Sequence, residues 1–229
     1  MNDVLLIIPA FNEEGNIARV CEGLKAYSDS FDYIVVNDGS TDATSRICHE
    51  NGYPVIDLPV NLGLAGAFKT GMRYAMRKGY DHAVQFDGDG QHRPEYIADM
   101  RAAADRCDIV IASRFISGKK SEQMSAARSI GSSLISAAIR LTTGARITDP
   151  TSGMRMYNRR MIEEYATGIN YPPEPDTLSY LIKHGAKAVE VPAVMDERIS
   201  GESYLKPLDA AAYMLRMLTS ILLIQNFRR

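Results

Sequence analysis

The sequence predicts an α/β domain, with a mostly parallel central sheet and helices on both faces. Three observations carry this. Short, almost purely apolar runs recur through the first half, as strands buried on both faces do. Each run is followed by a segment with helical spacing of apolar residues, the alternation that builds a parallel sheet through crossover connections. The chain of 229 residues is long enough for one such domain with a real core, and short for two.

Taken in order, Val4–Pro9 is the first strand, and Glu14–Ala26 the first helix, with Ile17, Val20 and Leu24 on one face. Tyr33–Val36 is the second strand; the helix after the Asp38-Gly39-Ser40-Thr41 turn stops at Asn51-Gly52. Val55–Leu58 is the third strand, and Ala65–Lys78 a helix closed by Gly79. Ala83–Phe86, the fourth, runs directly into Asp87-Gly88-Asp89-Gly90. Pro94 suits a first helical turn and opens a helix to about Arg106, and Ile109–Ala112 is the fifth strand.

Beyond Arg114 the pattern changes. An apolar helix over Ser125–Thr142 carries Arg128 and Arg140, and a Gly-, Asp- and Pro-containing segment runs from Gly144 to Gly153. Helices near Arg159–Ala166 and Thr177–His184 precede a strand at Val189–Val194. The last helix, about Leu208–Gln225, sets Leu208, Ala212, Leu215, Leu218 and Leu222 in one stripe, with Met214, Met217, Ile221 and Ile224 beside it. Such a helix either packs into the core or lies at a membrane interface, with Phe227, Arg228 and Arg229 as anchors. No repeat or linker interrupts the chain, so residues 1–229 read as a single domain in two halves, about 1–113 and 114–229.

Composition narrows the function. With 45% hydrophobic and 24% charged residues the chain is an ordinary soluble globular one. The net charge of −2 hides an asymmetry, since the first half is rich in acids and the second in bases. The first suits a cation and the second an anion. No nucleic-acid partner is expected. Cys21, Cys48 and Cys107 are isolated and lack metal-ligand spacing, so each reads as a small core residue in a reducing compartment. The N-terminus, Met1-Asn2-Asp3-Val4, shows no signal-peptide pattern, and no apolar run reaches the ~20 residues of a membrane span. The expected location is the cytoplasm, with peripheral contact at the cytoplasmic face of the membrane left open.

Ligands of open α/β sheets sit at the carboxyl ends of the strands. Three predicted strand ends carry acidic or polar turns: Pro9-Ala10-Phe11-Asn12-Glu13-Glu14, Asn37-Asp38-Gly39-Ser40, and Asp87-Gly88-Asp89. If these strands are neighbours, their carboxylates converge, which is costly without a cation or a hydrogen-bonding partner. Asp87-Gly88-Asp89-Gly90-Gln91 supplies oxygen donors two residues apart, as hard Mg²⁺ or Mn²⁺ ions prefer. His92 suits a helix-entry or supporting role better than ligation. No glutamate lies where an EF-hand needs one, and no Walker-type phosphate loop occurs.

Together, Ile8-Pro9-Ala10-Phe11-Asn12-Glu13-Glu14, Val35-Val36-Asn37-Asp38-Gly39-Ser40-Thr41-Asp42 and Phe86-Asp87-Gly88-Asp89-Gly90-Gln91-His92 resemble family 2 glycosyltransferases. The similarity is greatest to the dolichyl- or polyprenyl-phosphate sugar synthase branch. It continues through Asn61-Leu62-Gly63, Ser113-Arg114-Phe115, Asp149-Pro150-Thr151-Ser152-Gly153-Met154-Arg155 and Arg198-Ile199-Ser200-Gly201-Glu202-Ser203.

The resemblance implies the GT-A fold and an inverting, metal-dependent hexosyltransferase with a UDP- or GDP-linked sugar donor. On its terms Pro9, Phe11, Glu13 and Asp38 cradle the nucleotide. Asp87, Asp89 and Gln91 hold Mg²⁺ or Mn²⁺ against the diphosphate, Asp87 and Asp89 being the catalytic pair. Ser113, Arg114, Arg128, Ser132 and Arg198 bind the acceptor phosphate, a task that suits arginine forks. Asn37 stands where many members have a further aspartate, and Asp38 is expected to compensate. Polyprenyl phosphate is the leading acceptor because a phosphate arrives ionised, whereas a hydroxyl needs a positioned base. Glu174-Pro175-Asp176 is the nearest candidate for such a base and an unclear match. Transfer to a hydroxyl of a polysaccharide or lipid-linked glycan, or a non-catalytic nucleotide-sugar-binding subunit, are the alternatives. Membrane delivery falls to amphipathic elements or a small membrane partner.

Overall fold

The computed structural model describes residues 2–116, 126–196 and 207–226. The strands are β1 (Val4–Ala10), β2 (Asp32–Asn37), β3 (Val55–Asp57), β4 (His82–Gln85), β5 (Ile109–Ser113), β6 (Arg155–Asn158) and β7 (Ala188–Pro192). They form one sheet in the order β3-β2-β1-β4-β6-β5-β7. All neighbours are parallel except that β6 runs against both β4 and β5. The expected mixed α/β architecture with a mostly parallel sheet is therefore present.

The helices are α1 (Ile17–Lys25), α2 (Thr44–Glu50), α3 (Gly63–Lys78), α4 (Ile97–Ala104), α5 (Ala126–Thr143), α6 (Arg159–Thr167), α7 (Pro175–Lys183) and α8 (Pro207–Leu222). Alternate residues of β1 feed two cores, as the twofold period of a strand requires. Leu5 and Ile7 meet Phe68 and Met72 of α3, together with residues of α5 to α8. Leu6 and Ile8 meet Ile17 and Cys21 of α1 and Met100 of α4. All three cysteines are free and buried. Burial, with Cys48 adding to it, pushes the Cys21 thiol up to about 12, so it packs as an uncharged side chain.

Local chemistry sets several ends. Gly79, in the left-handed region at φ 83°, closes α3 and donates to the carbonyls of Ala75 and Met76. Asn158 caps α6, its side-chain oxygen accepting from the Met161 amide at 3.1 Å. The first helix starts at Ile17 rather than Glu14, because the Glu13 carbonyl ties up the amides of Asn16 and Ile17 in a turn. Pro94 opens a 3-10 turn, Pro94–Tyr96, before α4 begins.

Two differences bear on function. β6 was not expected: it is four residues long, and its Arg155 reads as a surface charge in sequence yet is buried. On α8, Met217 and Ile221 face the core, while Leu215 is 67% exposed and Leu222 37%. Ala212, Leu215 and Leu222 of the expected stripe thus point outward, whereas Leu218 packs against the core and the Leu208 side chain is outside the described residues. Phe227, Arg228 and Arg229 lie outside the described residues. Among the described residues, no helix is long and apolar enough to cross a membrane.

Candidate active site

The order β2-β1-β4 brings the three acidic turns to one edge of the sheet. The Asp38 amide donates to the Ala10 carbonyl at 2.8 Å, and the Phe86 amide to that of Ile7 at 3.0 Å. A cavity of about 450 Å³ opens there. Pro9, Phe11, Glu13, Asp38, Asp87 and Asp89 line it, so the four expected nucleotide residues share one space with both metal-loop aspartates. Asn61, Gly63 and Leu64 complete the wall. Asp38 is held by the Leu62 amide, which donates to Oδ1 at 2.7 Å. That approach requires Gly39: its φ is 67°, and a Cβ there would lie 2.7 Å from the Asn61 nitrogen. The Glu13 carboxylate accepts from Asn16 Nδ2 at 2.8 Å, while the Glu13 amide donates to Thr44 Oγ1 at 2.8 Å.

Asn37 faces away from this cavity. Its Nδ2 donates to Asp57 Oδ1 on the neighbouring β3 at 2.7 Å, and its Oδ1 accepts from the Ser40 amide at 3.2 Å. Burial tends to raise the Asp57 carboxyl, but hydrogen bonds from Asn37, His49 and Ser45 outweigh it and hold the group below its ordinary value. A neutral amide at position 37 is what this carboxylate needs.

The loop after β4 is held from three sides. The Asp87 amide donates to His92 Nδ1 at 2.9 Å, which leaves the ring proton on Nε2, 3.5 Å from Asp87 Oδ2. His92 thereby supports the carboxylate rather than replacing it. Asp89 is buried, and its Oδ1 accepts from the Gln91 amide at 3.1 Å. Gln91 is stitched to the segment after β7: its Nε2 donates to the Asp196 carbonyl at 3.2 Å, and its carbonyl accepts from the Asp196 amide at 2.9 Å. Arg93 also pairs with the Asp196 carboxylate.

Among the described residues there is no cluster of three His, Cys, Asp or Glu side chains suited to a metal. The expected donors are two aspartates that line the cavity and Gln91, which does not line it and whose amide nitrogen is already committed to Asp196. That fits a hard cation drawing its remaining oxygens from water and substrate phosphates, the usual manner of Mg²⁺. The residues fit such an ion.

The second group of expected residues assembles at the ends of β5 and β6. Arg114 donates through Nε to Asp149 Oδ2 and through Nη2 to Asp149 Oδ1, both at 2.7 Å. Its amide adds a third bond to the same carboxylate at 3.0 Å. Nη2 also reaches Thr151 Oγ1 at 3.0 Å, and Thr151 donates to Ser132 Oγ at 3.4 Å. Ser113 Oγ is 3.2 Å from Thr148 Oγ1. Arg114 and Ser132 are therefore joined through Thr151, and Ser113 connects to them by way of Thr148 and the Glu190 carboxylate, which also accepts from the Asp149 amide. Arg128 lies four residues before Ser132 on α5, but its side chain is outside the described residues, as is all of Arg198. The strand order puts β5 two strands from β4, about 10 Å in the plane of the sheet.

Glu174 and Asp176 belong elsewhere. Glu174 Oε2 pairs with Arg216 of α8 at 3.2 Å, and Asp176 Oδ2 accepts from Ser220 at 2.7 Å. Burial pushes the Glu174 carboxyl up, with Arg216 opposing and Asp176 assisting. Neither lines the cavity that contains Asp87 and Asp89.

Sequence reasoning gave no role to Asp149, the counter-charge of Arg114, or to Gly153. A Cβ at Gly153 would lie 2.6 Å from Asp87 Oδ2, so the turn into β6 leaves room for that carboxylate. Arg155 also went unassigned. Its guanidinium donates to the carbonyls of Ser152, Pro173 and Pro150 at 3.0, 2.9 and 2.6 Å, clamping the two loops together. The Asp149–Arg155 motif was visible as a unit, but nothing in its order says which member is buried.

Comparisons with known proteins agree on the family. Residues 5–166 match the family described as "Glycosyl transferase family 2". An undecaprenyl-phosphate mannosyltransferase of Micrococcus luteus is 31% identical over 87% of this chain and 86% of its own. A UDP-N-acetylglucosamine–dolichyl-phosphate N-acetylglucosaminyltransferase of Methanococcus voltae is 31% identical over 82% and 84%. Among solved structures, glucosyl-3-phosphoglycerate synthase of Mycobacterium tuberculosis, in complex with Mn²⁺, UDP and phosphoglyceric acid, superposes with a TM-score of 0.68. It covers 97% of this chain and 78% of its own at 20% identity, a likeness of GT-A fold.

Proposed function

The chain belongs to glycosyl transferase family 2, and we propose that it moves a sugar from a nucleoside diphosphate donor to a polyprenyl phosphate. The observation that carries this is the shared cavity of Pro9, Phe11, Glu13, Asp38, Asp87 and Asp89, at the same sheet edge as the Ser113–Arg114–Ser132 network. The relatives' names pair different sugars with lipid phosphates, which supports the acceptor class and leaves the sugar open.

Phe11 offers a ring face to the base, and Asp38 and Glu13 offer carboxylates to ribose hydroxyls. Asp87, Asp89 and Gln91 would hold Mg²⁺ or Mn²⁺, whose charge offsets that developing on the departing diphosphate. An acceptor phosphate oxygen attacks the anomeric carbon as the bond to the diphosphate breaks, giving inversion and a free nucleoside diphosphate. No base is needed to create that nucleophile. The engagement of Glu174 and Asp176 with α8 speaks against their serving a hydroxyl acceptor. Arg114, Arg128, Ser132 and Arg198 would steer the phosphate, a peripheral enzyme meeting its lipid at the cytoplasmic face.

The test is a screen of UDP- and GDP-linked sugars with purified protein, Mn²⁺ or Mg²⁺, and short-chain polyprenyl phosphate beside hydroxyl acceptors. Glycosyl phosphate product is expected. Transfer only to hydroxyls moves the protein to the glycan reading; donor binding without transfer or hydrolysis makes it a binding subunit. Arg128→Ala and Arg198→Ala should each weaken acceptor use roughly ten- to a hundredfold, the loss of a charge-assisted contact, with donor binding near normal.

A further inference from the structure

The segment after β7 runs back along the sheet edge to the loop after β4, and it is fixed at both ends. At one end the Ala193 amide donates to the Ser113 carbonyl at 2.9 Å, where β5 stops. At the other, the Asp196 amide donates to the Gln91 carbonyl at 2.9 Å, and Gln91 Nε2 donates to the Asp196 carbonyl at 3.2 Å. β5 and β4 are two strands apart, about 10 Å, which is about the reach of the chain from Ala193 to Asp196 when extended. Burial agrees with an extended path: Ala193 is buried and Met195 packs against the same core, while Val194 between them is exposed. A segment with so little slack needs its far end tied down.

The tie is a side-chain pair that sequence reasoning left without a role. Arg93 donates to Asp196 Oδ1 through Nε at 2.8 Å and also through Nη2, and its Nη1 lies 3.5 Å from Glu95 Oε1. The two side chains are 35 and 44% exposed, and a pair so open to water adds little to stability. Its place in the chain gives it another consequence. Arg93 stands two residues after Gln91, and Asp196 is bonded twice to Gln91, so the ion pair closes a ring around that residue. The Gln91 amide in turn donates to Asp89 Oδ1 at 3.1 Å, and Asp89 lines the donor cavity. Loosening the pair frees Gln91, and with it a hydrogen bond that orients a carboxylate of that cavity.

We propose that Arg93 and Asp196 are positioning residues, whose pair locks Gln91 and the Asp89 carboxylate into the geometry a divalent cation needs. The proposal rests on the assignment of Asp87, Asp89 and Gln91 to that cation, and adds to it a support brought from the edge strand of the sheet. Removing a partner that orients a metal ligand typically costs about ten- to a hundredfold in metal affinity. Because the same segment bonds Ser113, the loop after β4 and the end of β5 are kept in one frame.

Calorimetric Mn²⁺ titration in the presence of nucleoside diphosphate tests it, with Asp89→Ala as the control for the cation assignment. Arg93→Gln and Asp196→Asn should each weaken Mn²⁺ binding about tenfold, at a thermal midpoint within about 4 °C of wild type. The double variant should bind about as well as either single one, because both break the same contact. Arg93→Lys should recover part of the loss, since an ammonium keeps the charge but not the fork. In turnover, the apparent KM for Mn²⁺ should rise by the same factor while kcat at saturating Mn²⁺ stays within about twofold, as for lost binding rather than lost chemistry. Wild-type Mn²⁺ affinity in both single variants, or losses that multiply in the double one, overturns the proposal and leaves the pair a surface tether. If the wild type binds no Mn²⁺, the cation assignment falls and this proposal falls with it.

Discussion

Arg114 donates twice to a carboxylate with no exposure at all, so removing either partner strands the other's charge inside the protein. Arg114→Ala and Asp149→Ala should each cost about 3–5 kcal/mol, the usual penalty for breaking a buried pair. The double variant should cost less than their sum. A urea-denaturation cycle measures this, and additive losses would remove the coupling. Acceptor kinetics of Arg114 variants therefore need a stability control beside them. Asn37 makes the opposite case, where a neutral group is required. Asn37→Asp would set a second carboxylate against Asp57 within hydrogen-bond distance. In the wild type, Asp57 is held low, so its contribution is present at neutral pH and fades as pH falls through its folded value. In the variant, one carboxyl of the pair is forced up, so its penalty is full at pH 8 and shrinks towards pH 4.5. Thermal midpoints should differ by about 2–4 °C at pH 8, for a loss of about 1 kcal/mol, and converge in acid. A constant offset across that range contradicts the pairing.

At the scale of elements, the parallel strands were legible because each is an apolar run bounded by turn residues, as in Leu5–Ile8 and Ile109–Ala112. β6 was not, because Arg155 and Asn158 are half of a four-residue strand and their burial depends on partners far along the chain. Yet the antiparallel entry of β6 is what carries Gly153 to Asp87, since Gln85 pairs with Arg155 across β4 and β6. The outward face of α8 was legible as a stripe but not as a direction; that is set by which side meets α5 and α7. Gly153→Ala tests the element contact. Its Cβ would displace the Asp87 carboxylate while the strands stay paired, so Mn²⁺ affinity should fall about tenfold or more. A loss of that size corresponds to one charge-assisted contact. Calorimetric Mn²⁺ titration in the presence of nucleoside diphosphate measures it. Unchanged affinity would mean that Asp87 does not depend on this gap.

For the whole molecule, the charge asymmetry of the sequence maps onto the sheet edge. Acidic turns from β1, β2 and β4 share one cavity, and the Arg114 network lies across β6 from them. The donor residues were legible because each sits at a strand end within its own motif. The proposed acceptor set was legible only as positions: Ser113, Arg114 and Ser132 come from β5, its end and α5, while the Arg128 side chain and Arg198 lie outside the described residues. An acidic cavity repels a bare diphosphate, so nucleotide binding should require the cation. Nucleoside diphosphate with Mn²⁺ should therefore raise the thermal midpoint, whereas the same nucleotide in EDTA should not. At a hundredfold excess over the dissociation constant the linkage is about 2.7 kcal/mol, or roughly 5–11 °C for a chain of this size. Asp89→Ala should retain the unliganded midpoint to within a few degrees, because the Gln91 amide that donates to it lies in the same loop, and should lose the metal-dependent rise. Asp38→Ala should lower the rise without abolishing its dependence on metal, because its proposed role is at the nucleoside and not at the diphosphate. Equal stabilisation in Mn²⁺ and in EDTA would show that the two aspartates bind nucleotide without a cation, and the metal assignment would fall while the nucleotide cavity stood.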